Sequence, residues 1–295
     1  MKRDFLQLVS ERTVLFDGGM GSMLIDAGMK PDECPELWNV EKSSIIKEIH
    51  QRYFDAGADV VLTNTFGGTE IKLGTKGLEK RAVELNKAAV RNARSVCKAN
   101  RYVAGDVGPT GKFLPPVGDI TEGELYQSFS RQLEVLLHEG VDIIVIETMY
   151  DLREALQAVK AVRDISSLIP LVTTMTFEKK KRGFFTLMGD TPEKCFSALE
   201  SSGVNIVGAN CTLEGKDMVE LCKLVCDKTP LPLIFQPNAG QPDVIDAQVT
   251  YPQTPKEFAR DIDQLVEVGA RIVGGCCGTT PAFIREAWEV LQKRM

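Results

Sequence analysis

Three cysteines stand where their thiolates could form a metal site. Cys211 follows a short apolar run, and the adjacent pair Cys276 and Cys277 follows another, inside the glycine-rich stretch GGCCG. Three thiolates suit the tetrahedral preference of zinc and leave its fourth position open for a substrate. The flanking glycines let the backbone turn sharply enough for two neighbouring cysteines to face one ion. We predict a zinc site here; the alternative is that all three are buried cysteines at strand ends.

The remaining cysteines and both histidines offer weaker candidates. Cys222 and Cys226 are four residues apart on a predicted helix and could chelate a metal, but we expect them to pack, as we expect of the other three (Cys34, Cys97, Cys195). His50 and His138 are the only histidines, and both fall in predicted helices. This scarcity argues against a histidine-based zinc hydrolase and against a Ser-His-Asp triad.

The elements that must position these groups alternate between short apolar strands and amphipathic helices. We predict strands at 13–19, 59–66, 102–109, 142–148, 171–177, 206–211, 233–239 and 272–278. Predicted helices follow them at 43–57, 79–100, 122–140, 152–166, 192–203, 215–228, 255–269 and 281–293. Four segments share one plan, in which a glycine ends a helix and a buried strand follows (57–61, 140–144, 203–207, 269–273). Eight such units predict a single-domain (β/α)8 barrel over residues 1–295, with an open doubly wound sheet as the alternative.

Active sites of such barrels lie at the carboxyl ends of the strands. Cys211 ends the sixth predicted strand and the cysteine pair ends the eighth, so only one strand separates them. Other polar residues and a glycine stand at or just after strand ends, and we take them as site-lining candidates: Asp17, Gly18, Asn64, Thr65, Asp106, Glu147 and Asn238.

Composition narrows the class of protein. The chain has 295 residues, 43% of them apolar, and its 35 Lys and Arg against 41 Asp and Glu give a net charge of −6. These values exclude disordered and collagen-like classes, and the mild acidity argues against a nucleic-acid partner. No apolar run reaches the roughly 18–20 residues of a membrane span, and the first residues lack a signal-peptide core. We therefore expect a soluble, cytoplasmic protein without a membrane partner.

Eight short motifs in a fixed order carry a resemblance to a known family. They are DGGMGSML (17–24), CPELWN (34–39), TNTFG (63–67), GPTG (108–111), ET (147–148), GANC (208–211), PNAG (237–240) and GGCCGTTP (274–281). With them the sequence resembles the homocysteine S-methyltransferase family, and within it the homocysteine-binding barrel of cobalamin-dependent methionine synthase. The resemblance extends over nearly the whole chain.

The resemblance implies a zinc-dependent enzyme that methylates the thiolate of homocysteine to give methionine. It assigns zinc to Cys211, Cys276 and Cys277, and the amino group of homocysteine to Asp17 and Glu147. An ammonium group needs carboxylate partners, and these two stand at the ends of strands one and four. The alternative for both is loop capping or exposed surface charge. Gly18, Asn64, Thr65 and Asn238 remain substrate-site candidates without separate roles.

The methyl donor stays open at this stage. We favour a methylcorrinoid carried by a separate protein, because TNTF (63–66) and CPELWN resemble the synthase barrel most. Alternatives are S-methylmethionine, another sulfonium or betaine as donor, a different acceptor thiol such as coenzyme M, or a fragment or thiol-binding subunit of a larger synthase. The basic run 179–182 is expected to be an exposed loop, or a docking spot for an acidic partner or a polyanionic cofactor.

Overall fold

The computed structural model describes residues 4–245 and 248–294, and its centre is a ring of eight parallel strands. Seven neighbouring pairs are joined by parallel ladders, and hydrogen bonds from Asp59 N to Leu15 O and from Asp17 N to Val60 O close the ring. The single-domain (β/α)8 barrel is therefore confirmed. In order around the ring the strands are β1 (Val14–Leu15), β2 (Val60–Leu62), β3 (Tyr102–Val107), β4 (Ile143–Met149), β5 (Leu171–Met175), β8 (Ile206–Glu214), β9 (Leu233–Asn238) and β12 (Ile272–Val273).

Eight helices follow these strands and surround the ring. Thr121 with Glu124, and Thr254 with Glu257, form reciprocal capping boxes that satisfy free backbone N–H groups at two helix starts. The outer helices are α4 (Ser43–Ala56), α6 (Ala82–Val96), α7 (Glu122–His138), α8 (Leu152–Ile165), α9 (Pro192–Ser201), α10 (Gly215–Val225), α11 (Pro255–Val268) and α12 (Pro281–Gln292). Shorter helices are α1 (Phe5–Glu11), α2 (Met20–Asp26), α3 (Trp38–Glu41) and α5 (Glu70–Gly74), with 3-10 turns at Pro35–Leu37 and Glu79–Arg81.

The interior of the barrel is apolar at its amino-terminal end. Helix α1, which sequence analysis did not predict, packs Phe5 against the barrel side chains Phe16 and Tyr102, with ring centroids 6.3 and 5.4 Å apart. Phe5, Leu8 and Val9 join one buried cluster with inward residues of the eight strands. This cluster closes the amino-terminal end of the barrel interior.

Two antiparallel hairpins that sequence analysis also missed interrupt the regular alternation. They are β6–β7 (Glu178–Lys180, Gly183–Phe185) and β10–β11 (Asp243–Ile245, Gln248–Thr250). Lys179 and Lys180 of the basic run lie in β6, and Lys181 and Arg182 form the turn of this hairpin; all four are exposed, as expected. Lys179 pairs with Asp217 and Glu220 of α10. Among the described residues, no helix combines the length and apolar character that a membrane crossing requires.

Candidate metal centre and substrate cavity

The three cysteines predicted to hold zinc converge at the carboxyl end of the barrel. Cys211 Sγ lies 3.8 Å from Cys277 Sγ, which lies 4.0 Å from Cys276 Sγ, and all three sulfur atoms are within 4.8 Å of one another. Tetrahedral zinc with bonds of about 2.3 Å to sulfur requires sulfur atoms about 3.8 Å apart. The cluster therefore fits zinc, and it is the one group of three or more potential metal ligands found in the described ranges 4–245 and 248–294.

Local backbone geometry brings these thiols together. The β8–β9 register shifts between Asn210 and Glu214, and Cys211 and Thr212 adopt left-handed φ values of 61° and 59°. Such values are uncommon outside glycine, and they mark a strained turn that the surrounding packing must hold. Opposite, Gly278 takes a φ of 79°, so the chain reverses directly after the cysteine pair.

Hydrogen bonds fix the backbone of the cysteine pair. Asn238 Oδ1 accepts from Cys277 N at 3.1 Å, and the carbonyl of Pro237 accepts from Cys276 N at 2.9 Å. A Cβ atom on Gly19 would stand 2.7 Å from the Cys276 carbonyl oxygen, so a larger residue there would displace the pair. The positions of the sulfur atoms therefore depend on the segment after β1 and on the last residues of β9.

Without a metal, the three thiols share their protons unequally. Hydrogen bonds from Cys211 and Cys276 hold the pKa of Cys277 far below its usual value, while the pKa values of Cys211 and Cys276 are raised. Tyr251, which sequence analysis missed, also hydrogen-bonds to Cys277, and its ring covers the backbone of Gly278. One thiolate supported by several donors is an anionic centre, which suits a cation.

Next to this cluster lies a cavity of about 250 Å³ with an acidic wall. Four carboxyl groups line it: Asp17, Glu36, Asp106 and Glu147. Among the described residues of the lining, none is lysine, arginine or histidine. Burial raises the pKa of Asp17 and Asp106 well above their usual values, and it raises that of Glu147 to about 8, with a smaller contribution from Cys277. Such a wall favours a positively charged ligand, which would return these groups to their ionised form.

The sequence model for the family described as homocysteine S-methyltransferase matches residues 14–291. The chain belongs to this family. The resemblance seen in the motifs is thereby confirmed.

Individual relatives of the family agree with this placement. The methionine synthase of Mycobacterium tuberculosis is 32% identical over 300 residues, which cover 96% of this chain and 25% of that protein. The methionine synthase of Mycobacterium leprae is 32% identical over 300 residues, with 96% and 24% coverage. The chain thus spans about a quarter of the length of these curated relatives. The metallated form of the homocysteine methyltransferase MmuM from Escherichia coli has the same fold, with a TM-score of 0.80, 24% identity, and coverage of 99% of this chain and 100% of that one.

The two carboxylates that the family resemblance assigns to the substrate ammonium both line the cavity. Asp17 is buried, and its Oδ2 accepts a hydrogen bond from Leu62 N at 2.9 Å. Glu147 Oε2 accepts from Asn210 Nδ2 at 2.9 Å. Neither is an exposed surface charge. Gly18 lines the same wall, and a Cβ atom there would meet Thr279 Oγ1 at 2.7 Å, so glycine lets this turn approach closely.

The other three candidates occupy different positions. Asn64 lines the cavity while its Nδ2 donates to the Pro35 carbonyl at 2.7 Å. Thr65 is buried and lies outside the lining, where its hydroxyl donates to the Asp106 carbonyl at 2.7 Å. Asn238 also lies outside the lining, at the backbone of the cysteine pair.

Of the four carboxyl groups that line the cavity, only Glu36 received no separate prediction, although it lies in a quoted motif. Glu36 of CPELWN accepts from the backbone of Gly67 at 2.7 Å and from the Cys34 thiol at 3.1 Å. It therefore fastens the loop after β1 to the loop after β2 while also facing the cavity. A glutamate two residues after a cysteine was the available signal, but spacing alone does not separate this role from surface charge.

Proposed function

We propose that the chain methylates the sulfur of homocysteine, giving methionine, with zinc held by Cys211, Cys276 and Cys277. The observation that carries this proposal is the pairing of two features in one cavity. Three thiols meet at one end, and the remaining wall has four carboxyl groups and, in its described part, no cationic side chain. The thiol of homocysteine suits a metal held by the three cysteines, and its ammonium group suits the carboxyl groups of the wall.

Sulfur-only donor sets favour zinc among common biological cations. When bound, zinc lowers the pKa of a coordinated thiol, so it supplies a substrate thiolate at neutral pH. Methyl transfer then moves no proton. The sulfur–carbon bond forms as the bond from carbon to the donor breaks, and the electron pair of that bond stays with the donor. A general base is not required, in keeping with a described lining that contains no histidine.

The carboxylates orient the amino acid. We assign the ammonium group to Asp17 and Glu147, whose other contacts leave one oxygen of each carboxylate for a ligand. Charge-assisted hydrogen bonds of this kind contribute about 1.5–3 kcal/mol each. With both ends fixed, the sulfur is presented to the donor without a conformational search. Gly18, Asn64, Thr65 and Asn238 remain proposed parts of the substrate site.

For the donor we propose a methylcorrinoid on a separate protein or module, supported by the synthase-like motifs and by the two methionine synthases among the relatives. A cationic sulfonium or betaine donor is the second candidate. It is favoured by one observation, since Glu36 and Asp106 add acidic groups beyond the two assigned to the substrate. A cytoplasmic location is supported by the proposed metal site, because a reducing compartment keeps the thiols of Cys211, Cys276 and Cys277 available to bind a metal.

Turnover of zinc-loaded protein with homocysteine and each donor tests both proposals. Methionine is measured by mass spectrometry, and loss of methylcobalamin by its absorption spectrum. We expect methionine from methylcobalamin, and none after Cys276→Ser; Cys226→Ser, at an exposed helix-end cysteine, is the matched control. Faster turnover with S-methylmethionine or betaine would reject the corrinoid, and homocysteine binding without methyl transfer from any donor would reject the enzyme in favour of a thiol-binding subunit.

A further inference from the structure

Asn210 occupies the space between the proposed ammonium site and the proposed metal site. It stands directly before Cys211 in β8, and its side chain is completely buried. The carbonyl oxygen of its amide accepts two hydrogen bonds, from Thr148 N at 2.8 Å and from Thr174 Oγ1 at 2.7 Å. This oxygen therefore joins β8 to the two preceding strands of the ring.

The amide nitrogen of Asn210 reaches both halves of the cavity. It lies 2.9 Å from Glu147 Oε2, 2.7 Å from Thr148 Oγ1 and 3.8 Å from Cys276 Sγ. All of the polar capacity of the side chain is thus used, and its acceptors and donors point in directions that only an amide satisfies. An aspartate would instead place an oxygen against a carboxylate and a thiolate.

The segment carrying Glu147 needs such support. Thr148, the next residue, has a φ of 58°, which is rare for a β-branched side chain and is held only when the surroundings fix it. Asn210 binds both the N–H and the hydroxyl of Thr148. The direction in which the Glu147 carboxylate leaves the strand is therefore set from β8.

We infer that Asn210 is a positioning residue that fixes the Glu147 carboxylate relative to the Cys276 thiolate, and so sets the separation of the two groups that hold the ends of homocysteine. This inference rests on the proposed function, in which Glu147 binds the ammonium group. Its consequence is a specific one. Loss of Asn210 reduces the affinity for homocysteine relative to the same thiol without an amino group, and it does so by displacing Glu147.

A double-mutant cycle tests this on zinc-loaded protein. Calorimetry gives the affinities for homocysteine and for 4-mercaptobutanoate, which is homocysteine without its amino group. We expect the wild type to prefer homocysteine by tenfold or more, and Glu147→Gln and Asn210→Ala each to reduce that preference by a similar factor. The double variant should lose no more than Glu147→Gln alone, because residues acting through one another are not additive.

Two further variants keep the test decisive. Thr174→Val removes a partner of Asn210 that does not touch Glu147, and it should keep the preference for homocysteine. Asn210→Asp preserves the side-chain volume and replaces Asn210→Ala if the latter does not fold. An Asn210 variant that weakens both thiols equally overturns the inference while leaving the proposed function intact. A wild type without any preference overturns both.

Discussion

The substitution Asp17→Asn isolates the charge of one cavity carboxylate while preserving its shape. Asp17 is buried, and its Oδ2 accepts from the backbone of Leu62 at 2.9 Å. An asparagine keeps that hydrogen bond through its own carbonyl oxygen, so the turn after β1 should stay in place. What changes is the group facing the cavity, where an NH2 replaces an oxygen that carries negative charge when the substrate is bound.

The size of the effect follows from the contact that is lost. A hydrogen bond between an ammonium and a carboxylate contributes about 1.5–3 kcal/mol, which converts to roughly 10- to 150-fold in affinity. The other carboxylates of the wall remain, so the cavity still attracts a cation and binding is weakened rather than abolished. The thiol 4-mercaptobutanoate lacks the ammonium group, and its affinity should change less than threefold, a bound of about 0.6 kcal/mol.

Stability should change in the opposite direction. The pKa of Asp17 is raised in the folded protein, chiefly by burial, so the stability that the neutral carboxyl gives is lost as pH rises through the folded-state pKa. Asparagine does not ionise. The metal-free variant should therefore match the wild type near pH 4 and be the more stable of the two near pH 8, as measured by urea unfolding. Equal weakening of both thiols would refute the assignment of Asp17 to the ammonium group. A variant less stable than the wild type at pH 8 would refute the inference that burial disfavours the ionised form of Asp17.

Three further predictions test packing, titration and the metal environment. Burial lowers the pKa of His50 to about 4, so as pH falls the unfolded state takes up a proton before the folded state does. The free energy of unfolding of the wild type should therefore fall by about 2 kcal/mol between pH 7 and pH 4.5, relative to that of His50→Leu. Denaturant unfolding at both pH values measures this difference. A Cβ atom on Gly208 would stand 1.8 Å from a β9 carbonyl oxygen, so Gly208→Ala should lower the free energy of unfolding by about 3 kcal/mol or more. The control is Gly123→Ala, at an open helix position, which should not lower it. Tyr251→Phe removes a hydrogen bond to Cys277 and should speed the loss of zinc to a chelator about tenfold. This is the smaller end of the roughly 10- to 100-fold effect of losing a group that hydrogen-bonds a metal ligand. An unchanged rate of zinc loss would contradict this prediction.

The barrel and the metal ligands could be predicted because their signals are local. Strands buried on both faces are continuous apolar runs, and a glycine that ends a helix before a buried strand recurs at four places in the chain. Once the strands are counted, Cys211 and the pair at 276–277 must lie at the same end of the ring, separated by one strand. Helix α1 escaped prediction because its seven residues are too short for a periodic pattern to stand out.

The orientation of individual side chains could not be predicted. Successive strand residues point to opposite faces, so the rule that places a residue at a strand end does not decide which way it points. Asn64 lines the cavity whereas its neighbour Thr65 does not. Tyr251 reaches Cys277 from the segment after the β10–β11 hairpin. No pattern in the sequence near either residue indicates a contact between these two loops. Asn210 was quoted only as part of GANC, and its role depends on partners from two other strands and from the segment after β12.

X-ray absorption at the zinc edge tests the central claim most directly. The chain is loaded with one equivalent of zinc, and its spectrum is recorded before and after addition of homocysteine. Binding through Cys211, Cys276 and Cys277 predicts three sulfur neighbours in the free protein and four with homocysteine, each at about 2.3 Å. A spectrum without three cysteine sulfurs, or one that homocysteine leaves unchanged, would contradict the account.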